Sequence, residues 1–362
     1  MSIHCSSCRT PYPDTGVPFR CPHCEGIFDF VSPPRFHPGQ VEPDLTGIWP
    51  YRSTFGLPPG SPIISLGEGK TPLVWGKAGG RRVAFKLETQ NPTGSFKDRG
   101  TAVLVSHLKQ RAAQAAVEDS SGNAGASFAA YAARAGMAAR VFVPAYASGP
   151  KREQIQHYGA EVIPVPGPRS AAARAVLEEA RQGAVYASHA YLPHGLAGFA
   201  TIAYELVSEM DPLARSLILP VGHGSLLLGV ARGFKALQAA GMVEQLPRLI
   251  GVQAGACAPL VSAFQQGKTV PAEVDENDTL AEGIRIQNPY RGKEVLQAVR
   301  ESGGSMVAVD EDDIQRGRDL LGEMGMYVEM TSAVVWGGLQ QVVEDLPGPV
   351  VVILTGHGLK DR

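Results

Sequence analysis

From Ser65 onward, short apolar runs rich in β-branched residues alternate with longer alanine-rich stretches of helical periodicity. Short apolar runs bounded by turn residues favour strands, and apolar positions recurring every three or four residues favour helices. The predicted strands are residues 83–87, 141–144, 162–165, 217–221, 249–253, 306–309 and 350–354. The predicted helices are residues 98–114, 124–135, 151–158, 171–181, 196–210, 226–240, 311–324 and 332–345.

Several predicted strands are almost uninterrupted apolar runs, which is typical of parallel strands covered by helices on both faces. Alternation of such strands with helices predicts an α/β fold with a doubly wound parallel sheet. Asp310 and Ser332 stand just before or at the start of the last two predicted helices, and their side chains suit N-caps.

The polar and turn-forming residues divide the chain into three parts. Residues 1–30 carry a cluster of cysteines, and residues 31–62 are rich in proline and glycine without a sustained period, so we expect a tether there. Residues 63–362 hold all the alternating elements and form the predicted catalytic domain. A length of 362 residues agrees with two to three structural units, at roughly 100–200 residues each.

Composition narrows the function classes. Lys plus Arg is 33 and Asp plus Glu is 35, so the formal charge is 33 − 35 = −2, which argues against general nucleic-acid binding. No apolar run approaches the roughly 20 residues that a membrane-spanning helix needs. The first eight residues lack the apolar stretch of a signal peptide, so we expect a cytoplasmic protein with a small-molecule substrate.

Four of the five cysteines lie in the first 24 residues, as two CxxC pairs: Cys5 with Cys8, and Cys21 with Cys24. In a cytoplasmic protein this arrangement indicates metal rather than disulfides. Two such pairs complete a tetrahedral Zn²⁺ site with no open position, which is typical of a structural site. A redox or partner-docking role is the alternative.

A lysine follows a Pro/Gly turn in Asn91-Pro92-Thr93-Gly94-Ser95-Phe96-Lys97 and opens a predicted helix. Carbonyl chemistry needs a neutral amine, and the positive end of a helix dipole helps to depress a lysine pKa. Taken alone, the segment does not distinguish a reactive Lys97 from an ordinary surface lysine.

Three further loops precede helices or follow strands. Ser120-Ser121-Gly122-Asn123 precedes a helix and suits a substrate carboxylate, and Val221-Gly222-His223-Gly224-Ser225 suits a phosphate at a helix N-terminus. Thr355 follows the last predicted strand, where open α/β sheets place ligands. Each loop is also compatible with a plain cap or turn.

Together, these segments resemble threonine synthases and the related serine and threonine dehydratases and cysteine synthases, over about residues 65–361. Ser65-Leu66-Gly67-Glu68-Gly69-Lys70-Thr71-Pro72-Leu73 looks like the family's opening segment. The resemblance implies pyridoxal 5′-phosphate (PLP) held as a Schiff base on Lys97, with Phe96 as a further cofactor-binding residue and Asn123 at the ring hydroxyl. It also implies that residues 221–225 bind the phosphate and that Thr355 lies near the pyridine nitrogen. Some relatives carry an N-terminal zinc ribbon.

The implied chemistry follows from these groups. Freed Lys97 takes the α-proton as general base, and the PLP ring absorbs the negative charge. A threonine partner at the ring nitrogen is neutral and stabilises the carbanion less than an aspartate, which favours rapid elimination or replacement over transamination.

The resemblance weakens where threonine synthases bind the substrate phosphate. There the family carries an arginine and a lysine, whereas residues 189–201 of this chain contain neither. A buried dianion without cations is costly. Glu282 also stands where relatives carry threonine. Arg285, His189, His194 and Lys151 are the residues that compensate under this interpretation, and Arg285 is the predicted substrate ligand, with Ser120, Ser121 and Gly122 at the carboxylate.

Three hypotheses remain. The first is a threonine synthase that converts O-phosphohomoserine to threonine and phosphate. The second is a PLP enzyme that performs β-elimination or β-replacement on serine- or threonine-type amino acids, as dehydratases and cysteate synthases do. The third is a non-catalytic module that binds zinc or PLP and docks on a partner. The resemblance further implies two α/β subdomains with PLP in the cleft between them, the smaller and mobile one over about residues 105–195, and a homodimer.

Overall fold

The structure is a computed structural model that describes residues 2–32, 35–147 and 149–361. Pro33 and Pro34 of the predicted tether lie outside the described residues. The chain forms two compact units, the first from residues up to 69 with residues 97–198, and the second from residues 70–96 and 199–361. The predicted boundaries at residues 30 and 62 and the mobile subdomain over 105–195 stay predictions.

In the first unit, a short antiparallel pair near the N-terminus precedes a parallel sheet. The pair is β1 (Ile3–Cys5) with β2 (Phe28–Phe30). The sheet, counted over the described residues, has three parallel strands in sequence order: β5 (Ala115–Glu118), β6 (Ala138–Pro144) and β7 (Glu161–Val165). Its helices are α1 (Lys97–Gln110), α2 (Asn123–Arg134), α3 (Pro150–His157) and α4 (Arg169–Arg181).

The second unit is built on a larger sheet. Its strands are β3 (Leu73–Ala78), β4 (Arg81–Leu87), β8 (Ser216–Pro220), β9 (Arg248–Ala254), β10 (Ser305–Val309) and β11 (Val350–Leu354). In the described part of the chain they lie in the order β10–β9–β8–β11–β4–β3, parallel throughout except for the antiparallel edge pair β3–β4. Its helices are α5 (His194–Glu209), α6 (Ser225–Ala239), α7 (Pro259–Gln265), α8 (Gly292–Glu301), α9 (Glu311–Glu323) and α10 (Met330–Val342). Helix α5 begins within the first unit's residues.

Strand β11 lies inside the second sheet, and all five of its side chains are buried. It shares one hydrophobic core with α10, whose Val334, Val335 and Leu339 are fully buried. This arrangement explains the uninterrupted apolar run, because a strand covered on both faces has no polar side to display. Searched over the described residues, no helix combines the length and apolarity needed to cross a membrane.

The predicted α/β fold is confirmed, and each predicted strand and helix has a counterpart in the structure. The helix predicted over residues 98–114 ends earlier, at Gln110, because the chain turns through a left-handed Ala112 (φ 59°). Strands β1, β2, β3 and β5 and helices α7 and α8 were not predicted. The alanine-rich start of β5 has too little β-branched character to signal a strand.

One of the two predicted helix caps is correct. The Asp310 carboxylate accepts a hydrogen bond from the Asp313 N–H, as an N-cap does. Ser332 was wrong as a cap: α10 begins at Met330 after Glu329, and the Ser332 hydroxyl lies inside the helix, where it accepts a hydrogen bond from the Thr355 N–H at 2.9 Å.

The tether is anchored to the rest of the first unit by a buried carboxylate just beyond it, Glu68. Its oxygens accept hydrogen bonds from Trp49 Nε1 at 2.8 Å, the Tyr131 hydroxyl at 2.7 Å and the Leu66 N–H at 3.0 Å. Glu68 is 0% exposed. A buried charge that is fully hydrogen-bonded is tolerated, but removing it leaves several buried donors without partners.

We therefore expect Glu68→Ala to lower the free energy of unfolding of the first unit by about 3–5 kcal/mol. Glu42→Ala is the matched control, because Glu42 forms a half-exposed ion pair with Arg52 on the same tether and should cost less than about 1 kcal/mol. Urea unfolding followed by tryptophan fluorescence measures both. Equal losses in the two variants would contradict the anchoring role.

Candidate active site

The residues just before Lys97 are held by backbone hydrogen bonds to the end of β11. The Phe96 N–H donates to the Thr355 carbonyl at 2.9 Å, and Ser95 forms an antiparallel bridge with Gly356. Lys97 follows directly as the first residue of α1. The predicted lysine at a helix start is confirmed, and it directly follows Phe96, the residue that pairs with Thr355 just after β11.

Thr355 is 1% exposed, and its hydroxyl oxygen has no hydrogen-bond partner among the described residues. Its N–H is already satisfied by Ser332, so the backbone is fixed while the hydroxyl remains available. A buried hydroxyl without a partner is costly unless a ligand completes it. The position therefore suits a neutral hydrogen-bond partner for a ring nitrogen.

The glycine loop connects β8 to α6. Its start is fixed by the Val221 N–H, which donates to the Val252 carbonyl at 2.8 Å. Gly224 adopts φ +84°, and a Cβ there would overlap the Val295 side chain, so only glycine fits. Within the described chain, no side chain caps the first turn of α6, and the buried Ser225 hydroxyl has no partner. His223 stacks on Tyr290, with ring centroids 5.3 Å apart.

The asparagine loop connects β5 to α2. The Ser120 N–H donates to the Glu118 carboxylate, and the Gly122 N–H donates to the Ser120 hydroxyl at 3.1 Å. Asn123 is the first residue of α2. A Cβ on Gly125 would collide with the Ser120 carbonyl, so the small residues let the loop fold tightly over the helix start. The loop geometry suits an anion at a helix N-terminus.

Near this loop, the first unit contains a carboxyl cluster that sequence reasoning missed. Burial raises the pKa of Glu118 to about 7, although the Ser120 N–H and the positive charge of Lys97 oppose the shift. Burial and the neighbouring Glu118 charge raise the pKa of Asp119 to about 6. The Tyr186 hydroxyl donates to Asp119 at 2.7 Å. The sequence signal that could have revealed this cluster is the acidic pair Glu118 and Asp119 at the end of an otherwise apolar strand.

Two basic residues belong to the surroundings of this cluster, and one of them, Arg169, acts on its charges. His189 Nδ1 is 3.6 Å from the Glu118 carboxylate, and burial together with the charges of Lys97 and Arg169 holds the pKa of His189 well below its usual value. Arg169 is exposed at the start of α4, and its charge also lowers the pKa values of Glu118 and Asp119. The first unit thus gathers Lys97, both acids, His189 and Arg169.

The four N-terminal cysteines also converge. All four Sγ atoms lie within 4.8 Å of one another, with Cys5–Cys24 at 3.5 Å and Cys8–Cys21 at 3.6 Å. Four thiolates at about 2.3 Å from a tetrahedral zinc would be about 3.8 Å apart. Residues in left-handed conformation, Arg9 and Glu25, close the two knuckles in the same way. The cluster fits the predicted zinc ribbon.

The chain matches known proteins over most of its length. A family model described as pyridoxal-phosphate dependent enzyme matches residues 64–356. The chain is 32% identical to the threonine synthase of Methanocaldococcus jannaschii, covering 100% of this chain and 93% of the relative. It is 35% identical to the threonine synthase of Synechocystis sp., covering 86% and 82%.

This chain belongs to the pyridoxal-phosphate-dependent enzyme family. It is a PLP-dependent lyase of the threonine-synthase-like group. The fold agrees: maize serine racemase superposes with a TM-score of 0.70 at 22% identity, covering 80% of this chain and 88% of that structure. The likeness to the racemase shows the type II fold of PLP enzymes and does not bear on the substrate.

The residues present fit PLP. The second unit offers a glycine loop at the start of α6 for a phosphate and two buried hydroxyls, Ser225 and Thr355, that lack partners among the described residues. A phosphate ester and a pyridine nitrogen are the acceptors that such groups complete. The ligand roles predicted for Lys97, Phe96, Asn123 and residues 221–225 stay predictions.

Two residues suggested as substrate cations lie in other contacts. Arg285 pairs with Glu276 at 3.1 Å and Asp278 at 2.6 Å, so a substrate anion would compete with two carboxylates. His194 is buried against His107, with ring centroids 3.5 Å apart. The role predicted for Arg285 remains untested, whereas His194 is committed to this stack.

As a first prediction for the site, Gly224→Ala should weaken PLP binding at least tenfold, because the new methyl group overlaps Val295 and the loop must move. Gly241→Ala is the matched control: it has a similar φ of +72° but open space around it. Fluorescence titration of the apoprotein with PLP measures both affinities. Unchanged binding in Gly224→Ala would contradict the assignment of the loop.

The buried histidine stack predicts acid sensitivity. Burial, helped by Arg111, lowers the pKa of His107 to about 3. The unfolded chain takes up a proton near pH 6.5 and the folded chain does not, so stability is present above pH 6.5 and falls as pH drops towards 3. Between pH 7 and pH 5 this histidine should cost the wild-type protein about 2 kcal/mol of its free energy of unfolding. His107→Phe should lose about 2 kcal/mol less over the same pH range. Urea unfolding at both pH values tests this, with the exposed His157→Phe as control.

Proposed function

We propose that this PLP-dependent lyase converts O-phosphohomoserine to threonine and phosphate. The observation that carries the proposal is the similarity to threonine synthases along the whole chain, cysteine-rich segment included. The presence of Lys97, Asn123 and Thr355 in their expected settings supports it.

In this proposal Lys97 holds PLP and moves the α-proton, with Phe96 packing beside it. Residues 221–225 hold the cofactor phosphate, Asn123 contacts the ring hydroxyl, and Thr355 accepts or donates a hydrogen bond at the ring nitrogen without carrying charge. Bound PLP supplies an electron sink at the α-carbon. Ser120, Ser121 and Gly122 bind the substrate carboxylate at the start of α2.

The substrate phosphate needs a positive charge that residues 189–201 do not supply. Arg169 is the strongest candidate, because it is exposed and its charge acts on Glu118, Asp119 and His189 in the same unit. An arginine binds phosphate through two parallel hydrogen bonds. Glu118, with a pKa of about 7, is half protonated near neutral pH and then donates a hydrogen bond instead of repelling the anion.

The second candidate function is β-elimination or β-replacement on serine- or threonine-type amino acids. The acidic character of the cluster favours it, since Glu118 and Asp119 stand beside the loop that would bind substrate. The two ion pairs of Arg285 favour it as well, because they leave one cation fewer for a phosphate. An uncharged side chain needs neither a clamp nor a protonated acid.

The remaining assignments follow the same proposal. Structural Zn²⁺ occupies the site of Cys5, Cys8, Cys21 and Cys24, whose sulfurs already lie at suitable distances. We also propose a cytoplasmic homodimer, on the basis of the cysteine usage and the resemblance to threonine synthases.

The deciding experiment incubates the PLP-loaded enzyme with O-phosphohomoserine and measures phosphate and threonine, with Lys97→Ala as the inactive reference. We expect equal amounts of both products. Arg169→Ala should raise KM for O-phosphohomoserine by about tenfold or more and change kcat little, because it removes a charge-assisted contact. Arg174→Ala is the control, an exposed arginine on the same helix.

Absence of both products would contradict the first proposal. Formation of a keto acid and ammonia from serine or threonine in the same preparation would then establish the second. Equal KM values for Arg169→Ala and Arg174→Ala, with threonine still formed, would show that another residue binds the phosphate.

A further inference from the structure

Two side chains beside the second knuckle of the cysteine ribbon, Phe19 and Arg20, contact the rest of the first unit. Phe19 packs edge-on against Tyr186 and Tyr191, with ring centroids 5.4 Å away in each case. Arg20 donates to the Tyr191 hydroxyl at 3.0 Å and lies over the same ring. Both residues directly precede Cys21, so the position of the four-cysteine site sets the position of these contacts.

Tyr186 connects this aromatic contact to the edge of the sheet. Its backbone runs parallel to β5, where the Val117 N–H donates to the Val185 carbonyl at 2.8 Å and the Ala187 N–H donates to the Val117 carbonyl at 2.9 Å. Its hydroxyl donates to Asp119 at 2.7 Å. The ring that touches the ribbon therefore also fixes the acid that follows β5.

Asp119 is the residue before the asparagine loop. The next residue, Ser120, is held by Glu118 through its N–H, and Ser120 in turn accepts a hydrogen bond from the Gly122 N–H. Cys21 and Ser120 are thus joined through Phe19, Tyr186 and Asp119. Each link is a packed ring, a hydrogen bond or an adjacent peptide.

A second set of contacts keeps the ribbon from pivoting. Tyr12 lies 6.3 Å from His107 of α1 and 6.0 Å from His194, by ring centroids, and Phe30 lies 6.1 Å from His194. Arg111 donates to the Pro13 carbonyl at 3.0 Å and to the Asp14 carbonyl. The ribbon is fixed at two places, one of which is the helix that begins with Lys97.

From these contacts we propose that the metal-held ribbon positions the substrate-binding loop, with Phe19 and Tyr186 as positioning residues. The ribbon keeps Tyr186 against Asp119 and thereby keeps residues 120–123 in the conformation that receives the substrate carboxylate. The inference rests on the proposed function for the role of that loop. In this proposal the ribbon contributes to substrate binding as well as to the stability of the fold.

Two variants test the proposal in the PLP-loaded enzyme. Phe19→Ala removes the packing, and Tyr186→Phe removes only the hydroxyl that holds Asp119. Each should raise KM about tenfold, keep kcat within about threefold and leave the PLP content unchanged, because a displaced loop weakens ground-state binding. Phe19→Tyr should restore the wild-type KM, since the half-buried ring keeps its contacts. His23→Ala is the control, an exposed residue of the same knuckle.

Hydrogen exchange provides a readout that needs no substrate. Amides of residues 118–125 should exchange at least tenfold faster in Phe19→Ala, and in wild-type enzyme whose metal has been removed by a chelator, than in His23→Ala. This measurement does not depend on turnover. It therefore still tests the positioning role if the enzyme proves not to catalyse the proposed reaction.

Two results would overturn the inference. In the first, Phe19→Ala has the same KM and the same exchange rates in residues 118–125 as His23→Ala. The other is loss of PLP in step with activity, which would mean that the variant disrupts the catalytic fold rather than the loop.

Discussion

The site depends on a backbone connection between two segments that are far apart in sequence. Residues 94–96 pair with residues 355–357, through the Phe96 N–H, the Gly94 carbonyl and the bridge of Ser95 with Gly356. The Lys360 ammonium adds a hydrogen bond to the Thr93 carbonyl at 2.6 Å. Lys97 is bonded to Phe96 and begins α1, so this pairing fixes the backbone that leads directly into the predicted cofactor lysine.

The two units differ in the charge of the groups that each one offers. The second unit offers uncharged groups, a glycine loop and two buried hydroxyls, which suit a cofactor that carries its own charge. The first unit gathers ionisable groups, above all Glu118 and Asp119, whose pKa values burial raises to about 7 and about 6. Under the proposed function, we expect substrate choice to depend on these charges of the first unit and cofactor binding to depend on the glycine loop of the second.

The sequence predicted the features that are contiguous in the chain and missed those that are assembled from distant segments. Lys97, the glycine loop and the cysteine pairs are each complete within a few residues, so their chemistry is visible in the sequence. The cluster of Glu118, Tyr186 and Arg169 comes from three segments that only the folded unit brings together. Arg285 looked available because its carboxylate partners lie in a loop without a pattern. Ser332 looked like a cap because a serine at a helix start has that appearance whatever it contacts.

The central claim is that Lys97 carries the cofactor. Borohydride reduction of the PLP-loaded enzyme makes the bond between lysine and PLP permanent, and mass spectrometry of the digested protein then locates the label. The account predicts one labelled peptide, containing Lys97, and a β8–α6 loop that is protected from exchange when PLP is bound. A label on another lysine, or protein that retains no PLP at all, would contradict it.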